Sequence, residues 1–193
     1  MNDFILYFKM GLNHVLDFNA YDHILFLIVL AVVFSFNKFK KVVYLVTLFT
    51  IGHSITLALA AFEILSINMK LVEFLIPMTI FITGIVNIFT AKQATGGKQN
   101  INLVLALLFG LIHGLGFSNY FKMMIGRAED KILPLLEFSL GIEAAQILIV
   151  VGILFIGAVL QNILKVNKRD WILVCSSIVI GFAIQMMLNR VFW

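Results

Sequence analysis

An all-α, polytopic membrane helical bundle is the fold class this sequence predicts, and three observations carry the prediction. Of 193 residues, 62% are hydrophobic and 12% charged, against about 25% charged in an ordinary globular domain. Mean hydropathy is +1.05. Apolar stretches of helix length recur along the chain, separated by Lys, Asn, Gly or acidic residues, and within lipid a helix satisfies its own backbone hydrogen bonds. The composition excludes a soluble globular protein, a disordered chain and a collagen-like one.

Taken in order, the apolar runs 22–36, 42–62, 71–91, 102–121, 133–161 and 171–191 predict about six transmembrane helices. The first run is short for a bilayer core that needs about 20 residues. Its helix therefore starts before Tyr21, or its outer end is sheltered by protein. Ahead of it, FILYFKMGLNHVLDF (residues 4–18) is apolar but short, and is broken by Lys9, Asn13, His14 and Asp17. That segment reads as interfacial or re-entrant. It lacks the basic start and small-residue cleavage site of a signal peptide, so residues 1–20 are kept in the fold. Pro77 in the third run is expected to kink its helix and free a carbonyl. Asn87 and Gln185 are expected to make interhelical hydrogen bonds. The loop 92–101, KQATGGKQNI, is the most linker-like stretch, yet a bundle of this size leaves no room for two cores. Residues 1–193 are read as one integral membrane domain without internal repeats.

The 14 Lys and Arg residues sit in short clusters between apolar runs, which reads as membrane topology and not as a nucleic-acid surface. Lys38, Lys40, Lys41, Lys92, Lys98, Lys165, Lys168 and Arg169 follow the first, third and fifth runs, with Asp170 the only acid among them. Those loops are predicted to be cytoplasmic and both termini to face outward. Lys9, Lys70, Lys122, Arg127, Lys131 and Arg190 fall toward the other side with nearly all the acids. The single cysteine, Cys175, lies within the last run, so no disulfide framework or CxxC motif exists.

All four histidines, His14, His23, His53 and His113, lie in or beside apolar runs, and none is in the cationic loops. Ionisable groups in a membrane are costly and face a cavity or one another. A depth count brings several together. His53 is nine residues from the outer end of the second run, His113 eight from that of the fourth, and Glu143 ten from the outer start of the fifth. At about 1.5 Å per residue, all three fall roughly 12–15 Å below the outer surface. Asp22 and His23 open the first helix on that side, with His14 just before. His14, Asp22, His23, His53, His113 and Glu143 thus form the candidate metal set. Imidazole with carboxylate suits zinc, nickel or cobalt. The alternative is a buried polar network in which His53 bonds Glu143 and no ion is handled.

Local patterns support the set. TLFTIGHSITLALA puts Thr50, His53 and Ser54 on one helical face, and GIEAAQ puts Glu143 and Gln146 three apart. Thr50 and Gln146 are the supporting polar groups. Gly110 and Gly114 flank His113 at small-xxx-small spacing, Gly52 precedes His53, and Gly141 with Ala145 brackets Glu143, all of which favour close helix approach. Asp22 has an equal claim as an N-cap. Asp17 either orients His14 or lies in the headgroups, and Glu73 adds negative charge on the outer side.

The ordered set GLNHVLDFNAYDHILFL, TLFTIGHSITLALA, LVEFLIP, LFGLIHGLGF and GIEAAQ resembles the HupE/UreJ family of bacterial membrane proteins, over about residues 11–150. It includes the DH pair at Asp22 and His23, the GHS at Gly52 to Ser54, the HG at His113 and Gly114, and Glu143 with Gln146. The family's permease branch shows His-Pro and a Gly before the DH pair, where this chain has Val15 and Ala20, so it resembles the less characterised branch. The resemblance implies a nickel or cobalt permease of the bacterial cytoplasmic membrane.

Three functions compete. In a divalent-metal permease the ion enters from outside, is held by the histidines with Asp22 or Glu143, and moves inward. In an intramembrane zinc hydrolase three histidines hold zinc and a water, with Glu143, Asp22 or Ser54 assisting proton transfer. The zinc-protease signature HExxH is absent. In a structural or sensor protein the polar centre only specifies the packing. Partners expected are the lipid bilayer and a metal ion, with no nucleic acid.

Overall fold

The computed structural model describes residues 3–17, 21–65, 68–93, 100–126 and 131–191, the side chains of 3, 93 and 100–102 excepted. Residues 94–99 of the linker-like loop, with Lys98, and Ala20 and Arg127, lie outside the described residues. Among the described residues the chain is all helical: α1 (Asp3–Leu16), α2 (Asp22–Ala31), α3 (Phe39–Ala61), α4 (Met69–Thr90), α5 (Asn100–Ile125), α6 (Ile132–Asn162) and α7 (Lys168–Asn189). The second to sixth apolar runs correspond to α3 through α7, each containing a stretch long and apolar enough to cross a membrane.

The first run behaves differently. α2 has 10 residues and begins at Asp22 after an N-cap at Tyr21. At about 1.5 Å per residue it is about 15 Å long, half of a hydrocarbon core of about 30 Å. Shelter by protein explains the short run. Asp22, His23, Leu25, Phe26, Leu27, Val29, Leu30 and Ala31 are all buried, with α4, α6 and α7 packed around the helix.

The N-terminal segment is a helix seated along α6. A Cβ on Gly11 would collide with the Phe138 carbonyl oxygen, and one on Gly141 with that of Phe8. The two backbones therefore touch through reciprocal glycines, which is how helices gain dispersion contact where lipid removes the hydrophobic drive between them. The last turn of α1 is carried into the bundle by this contact.

Lys168 Nζ donates to Ser35 Oγ at 3.1 Å, joining the start of α7 to the segment after α2. Lys38, Lys40, Lys41, Lys92, Lys165, Lys168 and Arg169 gather at this lysine-rich end. At the opposite end, Lys131 Nζ donates to the Ala61 carbonyl at 3.0 Å. α4 stays helical through Pro77. Proline has no N–H to give the carbonyl four residues back, so the Glu73 oxygen is left free. Arg190 Nη1 takes it at 3.4 Å. Asn87 makes the expected interhelical bond, Nδ2 donating to the Val29 carbonyl at 2.7 Å. Gln185 does not. It lies on an exposed face of α7.

Candidate metal centre

Four helices deliver the polar centre, and glycine contacts set their spacing. α3 and α5 approach until Gly110 meets the Phe49 carbonyl and Gly114 meets the His53 carbonyl and Thr56 Oγ1. His53 and His113 are thereby carried in mid-helix on two closely packed helices, both buried. α1 contributes His14 from its last turn, and α2 contributes Asp22 and His23 from its first. The break between α1 and α2 lets side chains from two helix ends face two continuous helices.

His14, His23 and His53 each offer a ring nitrogen, and these atoms all lie within 4.8 Å of one another. The His14 and His23 rings meet edge to face at 4.7 Å between centroids, and His23 and His113 at 5.3 Å. His14 Nε2, both nitrogens of His53 and His113 Nε2 are buried without a hydrogen-bond partner among the described residues. Unpaired buried polar atoms cost about 1–3 kcal/mol each. Neutral imidazoles converging with open lone pairs have the donor chemistry of a zinc, nickel or cobalt site, so the residues present fit such an ion.

Two of the rings have identifiable orienting partners. His113 Nδ1 is 2.9 Å from the Phe109 carbonyl oxygen. An oxygen with no hydrogen must accept, so the proton sits on Nδ1 and the neutral ring keeps its lone pair at Nε2. His23 Nδ1 lies 3.0 Å from Asp22 Oδ1 as a close contact and not as an aligned hydrogen bond. Asp22 Oδ1 also accepts the His23 backbone N–H at 2.9 Å, and its Oδ2 lies 3.8 Å from Arg190 Nη1. Asp22 is thus inside the first turn of α2 and does not serve as the N-cap, and its carboxylate sits beside His23 at the positive end of a helix.

Glu143 lies on the seam between α3 and α6, where Thr47 Oγ1 donates to its Oε1 at 2.6 Å; like Asp22 and His113, it stands outside the group of three potential ligands found among the described residues. Run-end counting gave its depth and left its facing undetermined. Helix α6 turns that face toward α3. The same seam holds the Thr50 hydroxyl, 3.0 Å from Gln146 Oε1 and 3.1 Å from the Val46 carbonyl. It also holds Ser54, whose Oγ is 2.7 Å from Ser139 Oγ and donates to the Thr50 carbonyl at 2.7 Å. Thr50, Ser54, Glu143 and Gln146 therefore tie α3 to α6 beside the histidines and are not gathered among them. Asp17 is exposed at the end of α1.

Two features escaped the sequence reading. Arg190, counted there only as a topological cation, reaches Asp22 from the end of α7. Aromatic rings also line the cluster: Phe117 lies 3.8 Å from the His14 ring by centroids, and Phe49 lies 5.2 Å from His113. The i±4 spacing of Phe49 to His53, and of Phe109 and Phe117 to His113, was the signal that could have found the rings. Nothing local marks Arg190, because its partner comes from a distant helix.

Comparison with curated proteins and with solved structures gives no match. The family model described as HupE / UreJ protein matches residues 1–190, extending beyond the segment that carried the resemblance and taking in all seven helices up to Arg190. The protein is therefore a member of the HupE/UreJ family.

Proposed function

We propose that the protein is a divalent transition-metal permease of the nickel or cobalt type, with His14, His23 and His53 as the central ligands. One observation carries the reading: three imidazoles from three helices bring ring nitrogens within 4.8 Å of one another inside a bundle of membrane-length helices. His113 adds a fourth ring at the edge, and Asp22 supplies negative charge. Neutral imidazoles with a single nearby carboxylate hold a dication without caging it in charge, which suits an ion that must leave again. The HupE/UreJ resemblance implies the same substrate class. We place the protein in the bacterial cytoplasmic membrane with its lysine-rich end in the cytoplasm and both termini outside, following the excess of cations at that end.

The second reading, an intramembrane zinc hydrolase, draws on the same count of three histidines, the ligand number of many catalytic zinc sites. Of the assistants considered for it, Glu143 and Ser54 are engaged by Thr47 and Ser139. Asp22 is left as its proton carrier.

The deciding measurement is metal content of tag-free, detergent-purified protein, with and without prior chelation, followed by titration with nickel(II), cobalt(II) and zinc(II). The permease predicts reversible binding that His23→Ala and His53→Ala abolish. Stoichiometric zinc that resists prolonged chelation would transfer the conclusion to the hydrolase. No binding of any ion by the wild type would leave the cluster as a packing device.

A further inference from the structure

Three phenylalanines lie on one side of the histidine cluster. Phe49 is one turn before His53 on α3 and Phe109 one turn before His113 on α5, both displaced toward the lysine-rich end, where these helices begin. Phe26 is three residues after His23 on α2, which runs toward that same end. The rings form a continuous layer. Phe26 and Phe49 stack at 4.9 Å and Phe26 meets Phe109 edge-on at 5.3 Å, all three buried. The layer touches the cluster directly, with Phe26 and Phe49 within 5.7 and 5.2 Å of the His113 ring.

Beyond the layer there is a small, partly open cleft of about 10 Å³, bounded by Phe109, Val29, Leu105, Thr83 and Asn87. That is room for about one water molecule. Its polar walls belong to a stripe on α4, Thr79, Thr83 and Asn87, spaced four apart so that they share a face, and all buried. Thr83 Oγ1 donates to the Thr79 carbonyl at 2.9 Å and Asn87 Nδ2 to the Val29 carbonyl at 2.7 Å. With those hydrogens spent on backbone, the polar capacity left to both side chains is mainly oxygen lone pairs, the groups that receive a cation or its hydrating water.

We propose that Phe26, Phe49 and Phe109 form the inner gate of the transport pathway, and that Thr83 and Asn87 are the first polar groups a hydrated cation meets after leaving the histidines. The inference rests on the permease reading and adds the route by which the ion departs. In the conformation seen here the gate is closed, since the Phe26 ring is in contact with both Phe49 and Phe109.

The test is thiol labelling of the full chain in membrane vesicles of each orientation, in a Cys175→Ala background, with a charged, membrane-impermeant methanethiosulfonate. Applied from the lysine-rich face, the reagent modifies Asn87→Cys faster than His113→Cys. Adding Phe109→Ala speeds modification of His113→Cys about ten-fold, the rate equivalent of losing an aromatic contact, and speeds Asn87→Cys less. Phe109→Leu, which keeps most of the volume, gives a smaller increase and serves if the alanine variant does not fold. Equal rates at His113→Cys with and without Phe109, or an unreactive Asn87→Cys, overturn the gate. Because labelling needs no metal, that failure is distinct from failure of the permease reading, which nickel(II), cobalt(II) and zinc(II) titration of the wild type decides. Absence of binding there withdraws the cation from the route even where labelling finds the barrier.

Discussion

Asp22 lies between His23 and a cation. Its Oδ1 approaches His23 Nδ1 at 3.0 Å while Oδ2 lies 3.8 Å from Arg190, whose guanidinium also bonds the carbonyl freed by Pro77. A carboxylate behind a ligating histidine fixes the ring and raises its basicity, and losing such a partner typically costs about 10–100-fold in metal affinity. Asp22→Asn is therefore expected to weaken nickel(II) or zinc(II) binding by about that factor in calorimetric titration. Preserved affinity would reduce Asp22 to a helix-start residue. An imidazole ligates only when neutral, so metal binding is expected to be lost once acid protonates the ring nitrogens, and affinity that survives full acidification would speak against histidine ligation.

Among the helices, position is set by backbone contact and by polar pairs, because lipid tails offer no hydrophobic drive for association. The α3–α6 seam carries Thr47 with Glu143, Thr50 with Gln146, and Ser54 with Ser139, interactions worth about 0.6 kcal/mol each on average within membranes. Glycine contacts matter more for the site, since a methyl group at Gly110 would press into the Phe49 carbonyl, whereas one at Gly152 would meet nothing within 4 Å. Gly110→Ala is expected to destabilise by about 1–3 kcal/mol through overpacking and to lower the apparent melting temperature in detergent. Gly152→Ala is expected to be neutral or to stabilise by up to about 1 kcal/mol from helix propensity. Equal behaviour of the two variants would show that α3 and α5 are not held by this approach.

At the scale of the molecule, an α6 of 31 residues is about 46 Å long, beyond a hydrocarbon core of about 30 Å, while α2 covers about half of it. Among the described residues the bundle thus combines five helices of spanning length with two short ones, α1 along α6 and α2 buried among its neighbours, and the histidine cluster is where α1 ends and α2 starts. The proposed orientation rests on the cations at the lysine-rich end. Alkaline phosphatase fused after Val191 is expected to be active outside the cytoplasmic membrane, and a fusion after Lys92 inactive. The reverse pattern would invert the direction assigned to the gate and leave the site geometry as it stands.

The sequence by itself determined the helical membrane class, the five long helices, the family, and the residue types of a metal centre, because hydropathy and the cost of buried histidine are properties of local composition. Small-residue spacing also placed Gly110 and Gly114 correctly against α3. Depth along a helix can be counted from its ends, and the count put His53, His113 and Glu143 at one level. Which way each side chain turns at that level depends on the rotation and crossing of packed helices, and no local pattern encodes it. Only the tertiary structure therefore separated Glu143 from the histidines, joined Arg190 to Asp22 from opposite ends of the sequence, buried α2 among its neighbours and closed three phenylalanines beneath the cluster.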